Sequence, residues 1–171
     1  MNDNPTRGLL IAILVVATLN LIATGILTAV TLRSASGTPA VVAEGAQSLP
    51  KKYTAAVLAE IASRVVAPYN LQEADAFYNA FDDIAKNQIP REKFDKQLAE
   101  LVHLVGKVES SSFSGSQKQQ QTQGRLDMYT LNYVVRLSGT NLQTGVMSIS
   151  IVDREPEAGI VGFFISGRTQ Q

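Results

Sequence analysis

Between Arg7 and Arg33 the chain carries no charged residue, and this run limits what the rest of the molecule can be. At about 1.5 Å per residue, a helix over residues 8–32 outreaches a hydrocarbon core of roughly 30 Å, which about 20 apolar residues already span. A soluble core built from the remaining residues has no need of so long an apolar rod. Cleaved export signals have apolar cores of only about 7 to 15 residues. The run therefore predicts an uncleaved transmembrane anchor over residues 8–32, preceded by a short tail over residues 1–7.

Polar residues inside this run are not scattered. Asn20, Thr24, Thr28 and Thr31 recur at helical spacing and, at about 100° per residue, share one side of the rod. Threonine hydroxyls bond back to their own helix carbonyls, but an asparagine amide is not fully satisfied that way. Across a helix–helix contact in lipid such groups gain on the order of 0.6 to 2 kcal/mol, and small residues such as Gly25 and Ala29, one turn apart, let a second helix approach. Asn20, Thr24, Gly25, Thr28 and Thr31 are thus predicted to face another membrane subunit or a second copy. The alternative is that they are polar residues merely tolerated in lipid.

Charge excludes some functions. The chain has 15 basic and 15 acidic residues with no basic run, so nucleic acid is not an expected partner. The absence of cysteine rules out disulfides, thiolate chemistry and cysteine-ligated metal. Positive residues near the span (Arg7, Arg33, and Lys51 and Lys52 further on) slightly favour a cytoplasmic domain. A very short tail ahead of the span is instead usual when the following domain is exported. With the resemblance given below, the expectation is a single-pass inner-membrane protein whose C-terminal domain is periplasmic.

Residues 33–52 are rich in Ser, Gly, Ala, Thr and Pro without period, which predicts a linker. A domain over residues 53–171 follows. Its first helix places Leu58, Ile61 and Val65 on one face and is predicted to stop at Ala67, because Pro68 disfavours the α conformation before it. A second helix, over residues 70–86, has Asn70 as N-cap with Glu73 three residues on. Its apolar stripe comprises Leu71, Ala74, Phe77, Tyr78, Phe81, Ile84 and Ala85. A third starts at Pro90, turns Phe94, Leu98, Leu101, Val102 and Val105 inward and ends at Gly106.

After Gly106 the hydrophobic period changes from 3.6 to 2. A strand over "KVESSSFSG" leads through a glutamine-rich loop to a second strand. There Tyr129, Leu131, Tyr133, Val135 and Leu137 alternate with Met128, Thr130, Asn132, Val134 and Arg136. "TGVMSISIVDRE" and "IVGFFISG" alternate likewise, separated by the turns "SGTN" and "EPEAG". Short connections imply antiparallel pairing. The fold class is therefore α+β: a single N-terminal transmembrane helix, then helices packed on one face of a four-stranded antiparallel curved sheet.

This order of elements, with stretches such as "YNAFDDIAK", "ELVHLVGKVESSSF" and "GIVGFFISG", resembles the nuclear transport factor 2-like, or cystatin-like cone, superfamily, in particular anchored bacterial families. The layout is also similar to that of the periplasmic assembly factors of type IV secretion systems, although the tail and connections here are shorter. The resemblance covers residues 53–168 and implies either an enzyme with a base at the bottom of the cone or a protein–protein scaffold.

The residues choose between these. His103, the single histidine, shares a helix face with Lys96 and Glu100, opposite Leu98, Leu101 and Val105, so it points to solvent. Pairing Glu100 with His103 gives only half of a carboxylate-bridged di-iron set. Asp82 and Asp83, adjacent on a helix, diverge and read as a solvated face, and Asp127 and Asp153 lie near strand ends without a visible partner. The serine-rich stretch lacks the nucleophile-elbow glycines. Tyr129 and Tyr133 read as core packing, or else as a wall of a pocket or interface. The expectation is a non-enzymatic accessory or scaffold subunit of a membrane protein complex, without metal or cofactor. It would bind partner proteins through its extracytoplasmic domain and its transmembrane helix. The alternative is a domain that binds or weakly hydrolyses a small molecule in the cone interior.

Overall fold

A computed structural model describes residues 12–15, 49–119 and 126–169. The elements are, in chain order, β1 (Ala12–Val15), α1 (Ala55–Leu71), α2 (Ala74–Asn79), α3 (Asp83–Lys86), α4 (Arg91–Val105), β2 (Lys107–Gln119), β3 (Met128–Ser138), β4 (Thr144–Val152) and β5 (Gly159–Arg168). Helices followed by a four-stranded antiparallel meander is the arrangement the change of period predicts. In space the strands run β1-β5-β4-β3-β2, every pair antiparallel.

The core lies between the helices and one face of this sheet. Leu58, Ile61 and Val65 from α1, Phe77 and Phe81, and Phe94, Leu98 and Leu101 from α4 are buried together with Leu131, Tyr133, Met147, Ile149, Phe163 and Ile165. Aromatic rings knit the layers: Phe77 packs edge-on to Phe163 with centroids 5.6 Å apart and to Phe81 at 5.3 Å. Each such side chain contributes about 1.5 to 3 kcal/mol when fully buried.

Two helix boundaries differ from the sequence expectation, each for a tertiary reason. Pro68 does not stop α1, which runs on to Leu71. Proline removes one helical hydrogen bond, but the final turn is fastened from outside. Tyr69 Oη donates to Gly106 O at 2.7 Å, and the Asn70 amide donates to Val108 O at 2.7 Å and accepts from Val108 N–H at 2.8 Å. Asn70 is therefore a tie between α1 and β2 and not an N-cap. Gln72 then closes α1 in the left-handed region, at φ 57°.

The helix expected over residues 70–86 is in fact split into α2 and α3. Phe81 forms a parallel bridge with Ile160, and Asp82 N–H donates to Ile160 O at 2.7 Å, so the chain leaves the helix to serve the edge of β5. Asp82 restarts it, accepting from Ile84 N–H at 2.9 Å as the N-cap of α3. Most of the apolar stripe survives the break, with Phe77, Phe81 and Ala85 buried and Ala74, Tyr78 and Ile84 packed against the core, but Leu71, now the last residue of α1, is 67% exposed.

Gly106 terminates α4 at φ 82°, where a Cβ would lie 2.1 Å from Ser138 O. Only glycine fits both the conformation and the approach. In β5 a register shift opposite Ser150 and Ile151 buries Ile160 and Val161 together, where strict alternation separates them.

Among the described residues no helix is long and apolar enough to cross a membrane. Of the anchor expected over residues 8–32, Ala12–Val15 is described, and it pairs with β5 as a strand and not as a helical turn. Isoleucine and valine suit a strand well, and an edge strand offers unpaired N–H and C=O groups. The sheet thus has five strands among the described residues, where the sequence predicts four. Asn20, Thr24, Gly25, Thr28 and Thr31, and most of the linker, lie outside the described residues.

Candidate functional site

Tyr129 and Tyr133 are both buried on the helix-covered face of β3. Tyr133 Oη donates to Leu58 O at 2.8 Å, joining sheet to α1, and burial pushes its phenol up to about 12. Tyr129 lies beside Tyr53, with ring centroids 6.3 Å apart, and under the Lys118 ammonium at 6.0 Å. Both rings pack in the core, and the Tyr133 hydroxyl is taken up by α1.

Asp153, just past β4, is the centre of a charged cluster. Lys52 Nζ stands 2.7 Å from its carboxylate and 2.7 Å from that of Glu155, and Tyr53 Oη donates to Asp153 at 2.8 Å. Burial would push the Asp153 carboxyl up, but the bonds from Lys52 and Tyr53 outweigh it and hold the group below the ordinary carboxylate value. Lys52 is raised in turn, chiefly by its bond to Asp153. Lys52 and Tyr53, the two residues before the Thr54 N-cap of α1, are in this way latched to the end of β4. Asp127, which also lies near a strand end, is 2.9 Å from Lys118.

Asp82 and Asp83 do not form one solvated face. Asp83 is exposed, whereas the Asp82 side chain is only 9% exposed and lies 2.9 Å from Arg154 while capping α3. Arg64 and Glu157, 3.2 Å apart, complete the rim of an open surface depression of about 420 Å³. Its Asp82, Arg154, Arg64 and Glu157 are already joined in ion pairs. His103 is exposed on α4, as its face predicts. No group of three or more His, Cys, Asp or Glu residues among those described converges as a metal site.

The layer between helices and sheet holds a recess of about 10 Å³ lined by Tyr78, Phe81, Ala85, Ile89, Phe94 and Val161. That is about the room one water needs, far below the roughly 300 Å³ or more of a small-molecule pocket.

The opposite face of the sheet is different. Residues paired across strands share a face. The rows Ser112-Val134-Val146-Ser166, Gly115-Asn132-Ser148-Phe164 and Gln117-Thr130-Ser150-Gly162 therefore lie side by side on the side away from the helices. None of these positions is charged. Val134 and Val146, directly opposed, are 53% and 42% exposed, and Ser148 Oγ donates to Asn132 Oδ1 at 2.7 Å beside them. The next row on this face, Ser110-Arg136-Thr144-Arg168, carries two exposed arginines, and an uncharged strip around a valine pair with a basic border is suited to contact with another surface. The period-2 pattern already sets Val134 apart from the core, but its pairing with Val146 depends on register, which alternation alone does not supply.

The molecule is thus an α+β domain in which the helices cover one sheet face and leave the other open, with an uncharged strip bordered by Arg136 and Arg168. No family model matches the chain, and no curated protein matches it. A solved structure of Bd1075 from Bdellovibrio bacteriovorus is similar to it with a TM-score of 0.42 and 14% identity, over 67% of this chain and 40% of that one. The chain spans about 40% of the length of that protein.

Proposed function

We propose that the chain is a non-enzymatic, single-pass inner-membrane protein that serves as an accessory or scaffold subunit of a membrane complex. In this reading a periplasmic domain of the nuclear transport factor 2-like kind binds a partner protein through the helix-free face of its sheet. The anchor meets a second transmembrane helix along Asn20, Thr24, Gly25, Thr28 and Thr31. The observation that carries the proposal is the exposed Val134 and Val146 pair, set in an uncharged strip that Arg136 and Arg168 border on the open face of the sheet. A ligand in the cone interior, the other reading of the sequence, finds less support, because both tyrosines that would wall it are buried and Tyr133 is bonded to Leu58 O.

Gentle detergent extraction of the tagged full chain, with identification of the companions, tests both halves. Val146→Asp places a charge on an exposed position and is expected to release a companion that the parent retains, with circular dichroism unchanged. Asn20→Leu together with Thr24→Leu is expected to weaken the membrane contact, while Ala17→Leu leaves it intact. Companions unaffected by Val146→Asp overturn the sheet-face proposal, and companions unaffected by the Asn20 and Thr24 pair overturn the anchor contact.

A further inference from the structure

The outer edge of β5 is served in two halves. Near its start, Phe81 bridges to Ile160 and Asp82 N–H donates to Ile160 O at 2.7 Å. Past the bulge at Val161 the strand is regular, and there β1 takes over, pairing Val15 with Phe163, Leu14 with Phe164, Ile13 with Ile165 and Ala12 with Ser166. From Gly159 to Gly167 the strand has no charge and no proline, so residues 163–166 lack the usual devices that keep an edge from accepting another strand. The register of β1 matches this half-edge and stops short of the half already taken by Phe81 and Asp82.

We propose that residues 163–166 of β5 form a strand-docking slot whose occupant is the chain's own Ala12–Val15, so that these four residues have two alternative lodgings, the sheet edge and the bilayer. The second lodging rests on the anchor reading of residues 8–32. Backbone groups at a sheet edge are satisfied by a strand or by water, whereas an apolar run of this length is poorly accommodated in water. Without lipid the segment therefore docks on β5. When the run enters a bilayer as a helix, its backbone bonds become internal and the slot empties. Insertion of the anchor and exposure of the β5 edge are thus one event, and a bilayer that binds only the undocked form shifts the population toward it.

The absence of cysteine from the chain makes the test clean. Full-length chain carrying Leu14→Cys and Phe164→Cys, in register across β1 and β5, is synthesised without cells, with or without phosphatidylcholine vesicles, and mildly oxidised. Val134→Cys with Val146→Cys, exposed and in register across β3 and β4, reports that the sheet has folded. The expected result is an intramolecular Leu14-to-Phe164 disulfide without lipid, falling about tenfold in yield when vesicles are present, with the control pair unchanged. No such disulfide without lipid, while the control forms, overturns the slot and leaves the anchor reading standing. A disulfide between two molecules overturns the assignment to the chain's own segment. Equal yield with vesicles that carry the chain on flotation overturns the exchange, and vesicles that float without the chain overturn the anchor reading while the slot stands.

Discussion

At opposite ends of the four-stranded meander, β2 and β5 meet the same difficulty, a row of backbone groups with no neighbouring strand of the meander, and they solve it differently. β2 is 13 residues long, with Val108 its one fully buried residue, and its register is interrupted between Val108 and Ser110 and again between Phe113 and Gly115. The bulges bend and twist the strand, and a kinked, serine-rich edge makes a poor template. β5 is apolar and largely buried, and past Val161 it is regular. Its edge is covered by company, first by Phe81 and Asp82 and then by β1. An edge that contributes to the core has to stay straight enough to pack, so it needs a cover, whereas one outside the core is free to be distorted.

Core substitutions test that contrast most severely. Phe163→Ala, which removes a ring packed against Tyr69 and Phe77, is expected to cost about 3 to 5 kcal/mol in urea unfolding. Phe113→Ala on β2 loses chiefly its edge-on contact with Tyr133 and is expected to cost about 0.5 to 1.5 kcal/mol. Equal losses would break the comparison. Asn70→Ala comes next: it strands the Val108 N–H and C=O at the root of β2 and is expected to cost about 1 to 3 kcal/mol. Hydrogen exchange should quicken at Val108 and not in β5.

Removing Ser114 takes out the second bulge and brings Phe113 and Gly115 into continuous register with Tyr133 and Asn132. The straightened edge is expected to raise the apparent mass in sedimentation relative to the parent, and an unchanged mass would show that the bulges do not guard β2. The smallest effect belongs to the Asp153 cluster. Its carboxyl is held below the ordinary value, so its contribution is present above the unfolded value of about 3.9 and fades as pH falls through the lower, folded value. The destabilisation caused by Asp153→Asn, measured by thermal unfolding, is expected to be greatest near neutrality and to vanish in strong acid.

Periodicity was enough to read the α+β order, the meander and the inward faces of α1, α4 and β3, because burial alternates with the local repeat. Gly106 was legible as a terminator for the same local reason. What escaped was set by partners distant in sequence. Asn70 has the spacing of a cap yet bonds Val108, Pro68 is carried through α1 by ties to Gly106 and Val108, and Asp82 leaves its helix because Ile160 needs a donor. The valine pair on the open face required register, and β1 required knowing that an edge of β5 stood open. Asn20 and its companions, the residues on which the anchor contact depends, lie outside the described residues.

The latch ahead of α1 has a mechanical consequence. Tension applied to the chain from residue 49 does not reach the first turn of α1 directly, because Lys52 and Tyr53 are tethered to Asp153 at the end of β4. The load passes into the hydrogen-bonded strands, and the helix is shielded from being peeled off from its N-terminal end.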